Sequence, residues 1–265
     1  MYTESMSILH TFILSLIEGL TEFLPISSTG HLILASRLLD IEATNFTKTF
    51  EIVIQLGAIM AVVVLYTKKF LNINILKKLF VAVIPTGIVG FLLYPLIKEF
   101  LLSSSSITLN ALFWGGVALI GIEWIIRRKN KGKEVNNEID YSKVSYKKAF
   151  LIGTFQCLSV VPGVSRAAAT IVGGLATGLN RPTATEFSFL LAVPTMIAAT
   201  GYDLYKSREF ISQAGSLTLV AGTILSFIFA MLAIKFLISY VKKHDFTGFG
   251  IYRIILAILF WIFMK

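Results

Sequence analysis

The chain has 265 residues, of which 55% are hydrophobic and 15% are charged, and its mean hydropathy is +0.78. Soluble domains average roughly 25% charged residues, so this composition excludes an ordinary soluble protein and indicates an integral membrane protein. The formal net charge is +9, but the basic residues cluster in connectors between apolar stretches, as orientation signals do, and no nucleic-acid partner is expected. The single cysteine, Cys157, allows no disulfide within the chain.

The first elements in chain order are two short helices, predicted over about residues 7–24 and 28–39 with a proline between them. Each is shorter than the roughly 20 residues that a membrane crossing requires. Ser27, Ser28 and Thr29 stand where the N-cap of the second helix belongs. We therefore predict a re-entrant hairpin, because irregular backbone at membrane depth is tolerated only where it is buried in protein or lines a cavity.

Three full membrane spans are predicted after this hairpin, over about residues 48–66, 79–97 and 107–126. The segment that follows, residues 127–148, is the one clearly soluble part of the chain and is rich in Lys and Arg. We interpret it as a basic cytoplasmic linker between two halves.

The second half repeats the plan of the first. Short helices are predicted at about 149–160 and 165–178 around Pro162-Gly163, followed by spans at about 184–205, 216–241 and 248–264. The chain is thus predicted to be a single membrane domain, with residues 1–126 as the first repeat and 149–265 as the second.

The two hairpin tips resemble each other. Laying Pro25 over Pro162 places Ser28 over Ser165. Three spans separate the hairpins, and an odd number of crossings inverts the second half relative to the first, as in many transporters. The predicted fold class is therefore an all-α integral membrane protein with two inverted repeats, each a re-entrant helical hairpin plus three transmembrane helices.

The distribution of basic residues predicts the orientation. With the linker in the cytoplasm, the loop from Lys68 to Lys78 and the pair Lys242-Lys243 are also cytoplasmic. The loops of mixed charge then lie outside, namely residues 40–48, 98–106 and 206–209. The first hairpin enters from outside and the second from the cytoplasm, so that their tips can meet.

Two glutamates precede the first tip. Glu18 and Glu22 are spaced i, i+4, which places both on one helix face with Cβ atoms roughly 6 Å apart. Two carboxylates that close in an apolar setting do not both stay ionised without a compensating cation or basic group. This pattern indicates a metal site, a pair with Arg166 or His31, or a general base, and the alternative is local capping or pairing.

Arg166 is the candidate anion ligand of the second tip. Its planar guanidinium suits phosphate or carboxylate oxygens, and the helix N-termini behind Ser28 and Ser165 add partial positive charge. The site is therefore expected to bind an anionic headgroup. Alternatively, Arg166 is a structural partner of Glu18 or Glu22, and both roles are compatible.

Histidine and serine supply the remaining candidate chemistry. His31 lies one turn after Ser27, near enough to act as a general acid or base or as a nucleophile, although a lone histidine in an apolar helix is usually structural. Ser28 and Ser165 either cap the helices that they begin or bind or attack phosphorus.

These motifs resemble those of the BacA/UppP family of undecaprenyl pyrophosphate phosphatases, integral membrane enzymes associated with bacitracin resistance. The resemblance covers essentially the whole chain. It depends on Glu18 and Glu22 followed by the run from Pro25 to His31, and on the motif from Pro162 to Arg166 with Thr170. After this arginine the family usually has another serine, but this chain has alanine, so any role of that hydroxyl is absent.

The resemblance implies removal of the terminal phosphate of undecaprenyl pyrophosphate in the bacterial plasma membrane, which supplies the lipid carrier for peptidoglycan synthesis. It also implies a site open to the outer face and a divalent cation, Mg²⁺ or Ca²⁺, near Glu18 and Glu22. The candidate catalytic residues are His31, Glu22, Ser28 and Glu18, and the candidate substrate-binding residues are Arg166, Ser165, Ser27, Thr29 and Gly163. A transporter of a polyprenyl phosphate lipid is the alternative function, and a homodimer is compatible with the sequence.

Overall fold

The structure is a computed structural model that describes residues 6–96, 105–129, 138–206 and 216–263. Within these ranges every regular element is helical, which confirms the all-α prediction. The first six helices are α1 (Ile8–Thr21), α2 (Ser28–Leu38), α3 (Asn45–Leu65), α4 (Thr67–Phe70), α5 (Ile73–Leu96) and α6 (Ser105–Lys129). The next five are α7 (Tyr146–Gln156), α8 (Arg166–Ala176), α9 (Arg181–Lys206), α10 (Ser216–Val241) and α11 (Thr247–Phe263).

Polar side chains mark where several helices begin. Ser7, Thr44 and Ser145 each accept a hydrogen bond from the backbone amide three residues later, which satisfies one of the amides left free at a helix start. The Asn72 side chain accepts from two backbone amides in the same way. Helix α5 therefore begins well before the predicted residue 79, and Lys77 and Lys78 lie inside it instead of in a connector.

Among the residues that the structure describes, five helices are long and apolar enough to cross a membrane. Their candidate spans are Asn45–Leu65, Ile73–Leu93, Ser106–Lys129, Arg181–Gly201 and Leu217–Val241. They correspond to five of the six predicted spans. The sixth, predicted at 248–264, corresponds to α11, whose 17 residues place it among the shorter apolar helices.

The short helices predicted for the two hairpins are present as the pairs α1 with α2 and α7 with α8, and the members of each pair contact each other. The first tip runs from Glu22 to Ser27. The second tip is longer, because a 3₁₀ turn over Cys157–Val160 precedes Pro162. The linker is also partly helical: α6 extends to Lys129, and a 3₁₀ turn covers Tyr141–Lys143.

The two halves interleave. Helix α10 packs on α1 and α3, α5 packs on α7 and α9, and α6 packs on α11. Glycine permits the closest approaches between hairpin arms and spans. A Cβ atom at Gly19 would lie 2.5 Å from the Ser226 carbonyl oxygen, and one at Gly153 would lie 2.0 Å from that of Ala82.

The segments predicted to face the cytoplasm meet at one end of the bundle. Arg127, at the end of α6, forms an ion pair with Asp245 in the loop before α11. Lys78, near the start of α5, donates to the carbonyl oxygen of Tyr141 in the linker at 3.0 Å. Parts of the loops predicted to lie outside, residues 98–104 and 207–209, fall outside the described residues.

Candidate active site

Both tips line one cavity of about 160 Å³. The first tip and the start of α2 contribute Glu22, Ser27, Ser28 and Thr29. The second tip and the start of α8 contribute Gly163, Ser165 and Arg166. Seven of the nine candidate site residues therefore surround one space, and the two others, Glu18 and His31, do not line it.

Glu22 is the centre of the polar contacts in this cavity. The Ser28 hydroxyl donates to Glu22 Oε2 at 2.5 Å, and Arg166 Nη2 donates to Glu22 Oε1 at 3.0 Å. Glu22 as a whole is only 7% exposed, so this ion pair is largely shielded from water. The arrangement places a hydroxyl against a carboxylate that can accept its proton, while the guanidinium compensates the carboxylate charge.

Arg166 keeps hydrogen-bonding capacity beyond this pair. Its Nη1 donates to the Ser188 carbonyl oxygen at 3.0 Å, and its Cζ lies 5.5 Å from the centre of the Phe23 ring. Its buried Nε has no hydrogen-bond partner among the described residues. Pairing with Glu22, one of the two roles that the sequence indicates for Arg166, is thus present in the structure, and a guanidinium donor remains for an anion.

The backbone of the two tips has the same unusual conformation. Ser27 (φ 74°) and Ser165 (φ 72°) both lie in the left-handed region that non-glycine residues rarely adopt. Each is the N-cap of its helix and accepts from the backbone amide three residues later. Ser27 therefore corresponds to Ser165, and the sequence match that paired Ser28 with Ser165 is wrong by one residue. This shift leaves the Ser28 hydroxyl available to Glu22.

Gly163 allows the second tip to turn against α6. Its φ is 92°, and a Cβ atom there would lie 2.4 Å from the Thr108 carbonyl oxygen. Both the backbone conformation and the space require glycine at this position.

His31 lies behind the first tip and is not among the described residues that line the cavity. Its Nδ1 is 2.7 Å from the Ser27 carbonyl oxygen, and its Nε2 is 2.7 Å from the Tyr252 hydroxyl, whose ring stacks on the imidazole. A carbonyl oxygen only accepts, so Nδ1 carries the proton, and in the neutral tautomer Nε2 accepts from Tyr252. Both ring nitrogens are thus engaged.

Glu18 is 1% exposed, and its Oε1 has no hydrogen-bond partner among the described residues. No group of three or more His, Cys, Asp or Glu side chains in the described ranges converges as a metal site. Mg²⁺, however, is commonly bound by one or two carboxylates together with substrate phosphate oxygens. The free oxygen of Glu18 beside Glu22 fits such a shared site, but not one formed by protein ligands alone.

The sequence reasoning missed two further polar contributions to the cavity. Gln55 of α3 lines it, and its Oε1 accepts from the Thr200 hydroxyl at 3.3 Å. No described residue accepts from its amide nitrogen, which leaves donors for a ligand. Ser159 also lines the cavity. The available signal for Gln55 was an amide side chain within a predicted span.

Arg253 was missed as well. It lies in α11 and donates to carbonyl oxygens of both tips, so Arg166 is not the only strong cation at the tips. A lone arginine in the apolar run from Ile251 to Phe263 is the signal that identifies it.

Comparisons with known proteins cover nearly the whole chain. A family model described as bacitracin resistance protein BacA matches residues 11–259. A protein of Sulfurihydrogenibium sp. (strain YO3AOP1), named undecaprenyl-diphosphatase, is 53% identical over 97% of this chain and 99% of its own length. Proteins of the same name from Wolinella succinogenes and Aquifex aeolicus are 49% and 46% identical, over 98% and 94% of this chain and 99% and 95% of their own lengths.

Proposed function

The chain belongs to the BacA family, and from this premise we propose that it hydrolyses undecaprenyl diphosphate to undecaprenyl phosphate and inorganic phosphate. It is a multi-pass membrane protein of bacteria, and its product is the lipid carrier used in peptidoglycan synthesis. The observation that carries the proposal is the contact of Ser28 and Arg166 with the two oxygens of Glu22 in a cavity between two helix N-termini.

The cavity suits a diphosphate because its positive groups come from both tips. Arg166 supplies a guanidinium, and the starts of α2 and α8 supply partial positive charge and backbone amides. Thr29 and Gln55 also line the cavity and add a hydroxyl and an amide. Phosphoryl transfer requires mainly positioning and charge stabilisation, which these groups provide.

Ser28 is the proposed nucleophile. Its Oγ attacks the terminal phosphorus as Glu22 takes its proton, the bond from that phosphorus to the bridging oxygen breaks, and undecaprenyl phosphate leaves with the bonding electrons. Water then attacks the phosphoserine, and the Oγ–phosphorus bond breaks. Glu22 returns its proton to the Ser28 oxygen. The oxygen of the water molecule is retained in the inorganic phosphate that is released.

Two other nucleophiles were open from the sequence. Attack by His31 is disfavoured because both of its ring nitrogens already have partners. Direct attack by a water molecule that Glu22 activates would displace Ser28 from its hydrogen bond with the carboxylate. The short contact between Ser28 and Glu22 therefore supports serine attack over both alternatives.

We also propose that Glu18 and Glu22, together with diphosphate oxygens, hold a divalent cation, Mg²⁺ or Ca²⁺. When bound, it neutralises part of the diphosphate charge. The free oxygen of Glu18 supports this proposal. The prenyl tail would lie between spans, among membrane lipids.

The finer architecture is part of the proposal. Two inverted repeats, each with a re-entrant hairpin, are supported by matched packing: α1 on α10 has its counterpart in α7 on α5, and α3 on α10 in α9 on α5. The common conformation of Ser27 and Ser165 supports the same relation. With the basic end in the cytoplasm, we propose that the cavity opens to the outer face.

The test is phosphate release from undecaprenyl diphosphate by purified protein in detergent, followed by acid quenching and mass spectrometry of the peptide that contains Ser28. We expect wild-type release, a transient phosphoserine, and loss of both in Ser28→Ala. Ser239→Ala, an exposed serine on α10, is the control. Glu22→Gln should reduce turnover about 10²- to 10⁴-fold, the usual contribution of a positioned base.

Each alternative has its own outcome in this experiment. Release that persists in Ser28→Ala would exclude the serine nucleophile while keeping the hydrolase. No release by folded wild-type protein would favour lipid transport, because a transporter moves its substrate without freeing phosphate. Release that is insensitive to EDTA would exclude the proposed cation.

A further inference from the structure

Arg253 is fully buried in α11 although it does not line the cavity. All five N–H donors of its guanidinium have a backbone carbonyl partner. Nε donates to Leu112 at 3.2 Å, Nη1 to Pro25 and Val164 at 3.1 and 2.9 Å, and Nη2 to Ala111 and Gly163 at 3.0 and 2.8 Å. One planar group thus bonds to three segments of the chain besides its own.

Three of these carbonyls belong to the tips that form the cavity. Pro25 precedes α2 by a few residues, and Gly163 and Val164 precede α8. Carbonyl groups of irregular backbone at membrane depth have no water to accept from, so they need a partner within the protein. Arg253 is that partner for both tips at once, and its rigid guanidinium fixes their relative position.

The neighbouring helix leaves space for this side chain. A Cβ atom at Gly115 of α6 would lie 2.1 Å from Arg253 Nη2, and one at Gly116 would lie 2.6 Å from the Gly250 carbonyl oxygen. Gly116 lets α6 and α11 approach closely, and Gly115 lets the guanidinium pass between them. These two adjacent glycines together therefore leave room for Arg253 between α6 and α11.

The charge of Arg253 has no acidic partner. Among the described residues it forms no ion pair, whereas the other buried arginine contacts, such as Arg166 with Glu22, include a carboxylate. A buried cation held only by carbonyl dipoles is costly, and its retention calls for a role that an apolar residue would not fill. An anionic substrate between the two tips would supply the missing negative charge.

We propose that Arg253 is a positioning residue that holds the two tips in register, so that Ser28 and Arg166 act on the same phosphate. This inference depends on the proposed hydrolase function for its kinetic test. It does not depend on that function for its structural test, the distance between the tips.

The kinetic test compares Arg253→Met, Arg253→Lys and the control Arg128→Met, in which an exposed arginine stacked on Trp124 is removed. We expect Arg253→Met to lower kcat about 10²-fold or more while KM changes less, because misplacement of reacting groups by about 1 Å has effects of this size. Arg253→Lys should recover part of kcat, since an ammonium can reach one tip but not span both. Arg128→Met should match wild type.

The structural test places spin labels at Leu20, which lies just before the first tip, and at Leu158 in the second tip, both exposed, on cysteines introduced in a Cys157→Ala background. Their distance distribution in detergent should broaden or shift in Arg253→Met but not in Arg128→Met. If Arg253→Met fails to fold, Gly115→Ala is used instead. Its methyl group pushes Nη2 of Arg253 aside, although the arginine itself is not replaced.

The outcomes separate this inference from the proposed function. Folded Arg253→Met, or Gly115→Ala in its place, with wild-type kcat and an unchanged tip distance would overturn the positioning role. If the tip distance changes in Arg253→Met but the wild-type protein releases no phosphate, the coupling of the tips by Arg253 stands. Only the proposed hydrolase function is then rejected.

Discussion

Glu22 has two partners that make opposite demands on it. Ser28 requires an oxygen that can accept a proton, whereas Arg166 favours a carboxylate that stays ionised. Glu22 satisfies both requirements because Ser28 and Arg166 bond to different oxygens of its carboxylate. The left-handed backbone conformation of Ser27 places Ser28 within reach of one of them. In the proposed mechanism, the strained cap and the ion pair together position the Ser28 hydroxyl for attack on phosphorus.

The hydrogen bonds of His31 lead to a test of its role. In His31→Asn the side-chain nitrogen can replace Nδ1 and still donate to the Ser27 carbonyl oxygen, whereas in His31→Gln it lies nearer the former Nε2. If His31 supports the tip, we expect the Asn variant to retain about fivefold more kcat than the Gln variant, as one hydrogen bond is worth about 1 kcal/mol. Steady-state kinetics on both variants measure this ratio. Equal loss in the two, with loss of one limb of the pH profile, would instead indicate acid or base catalysis.

Gln55 is expected to contribute to substrate binding. Gln55→Leu removes the amide donors, and since hydrogen bonds to charged groups are worth about 1.5–3 kcal/mol, KM should rise about 10- to 100-fold. The value of kcat should change much less. Thr200→Val, which removes only the partner of the Gln55 oxygen, is the matched control with a smaller effect. An unchanged KM in Gln55→Leu would show that the amide does not meet the diphosphate.

The sequence predicted a site from charged and hydroxyl residues in apolar surroundings, and seven of those residues line one cavity in the structure. The sequence could not assign their separate roles, because a shift of one residue in the first tip decides whether Ser27 or Ser28 caps the helix. It also missed Arg253, whose role depends on contacts with Pro25 and Gly163, which are distant in sequence.

At the scale of elements, apolar length and breaks at proline predicted every helix of the described chain except the short α4. The ends were less accurate, because side-chain caps decide them: Thr44 starts α3 before residue 48, and Asn72 starts α5 before residue 79. The 3₁₀ turn that lengthens the second tip has no periodic signal at all. Composition thus defines which segments are helices, and local hydrogen bonds define where they begin.

Close contact between α1 and α10 gives a prediction about stability. Gly19→Ala places a Cβ atom 2.5 Å from the Ser226 carbonyl oxygen, so the helices must separate, and we expect a loss of about 1–3 kcal/mol. Gly121→Ala is the control, because no atom lies within 4 Å of its added Cβ. Thermal unfolding in detergent should show a lower midpoint temperature for Gly19→Ala than for wild type. The midpoint of Gly121→Ala should be unchanged. Equal midpoints would mean that α1 and α10 are not tightly packed.

At the scale of the whole molecule, each half completes the packing of the other. The long helix of one half covers the hairpin of the other, as α10 covers α1 and α5 covers α7. The sequence predicted two related halves from their tips, but it carries no pattern that shows which helix crosses to which hairpin. This packing of a long helix from one half on the short helices of the other is determined by complementary surfaces, such as the glycine contacts of α1 and α7.

The proposed orientation can be measured directly. In a Cys157→Ala background, Glu42→Cys and Lys243→Cys place single thiols at exposed positions in loops that the topology assigns to opposite sides. A membrane-impermeant maleimide should label position 42 in intact spheroplasts and position 243 only after permeabilisation. The reverse pattern would place the basic end outside and the cavity toward the cytoplasm.

The contacts of Arg253 have a consequence for how the protein is made. Helix α11 follows both hairpins in the chain, so the ribosome delivers the tips before the residue that satisfies their carbonyl groups. In the proposed architecture the tips lie at membrane depth, and until α11 joins the bundle they lack the partner of these carbonyl groups. Nascent chains that are only partly integrated would therefore be inactive, and activity would begin when membrane insertion reaches this last contact.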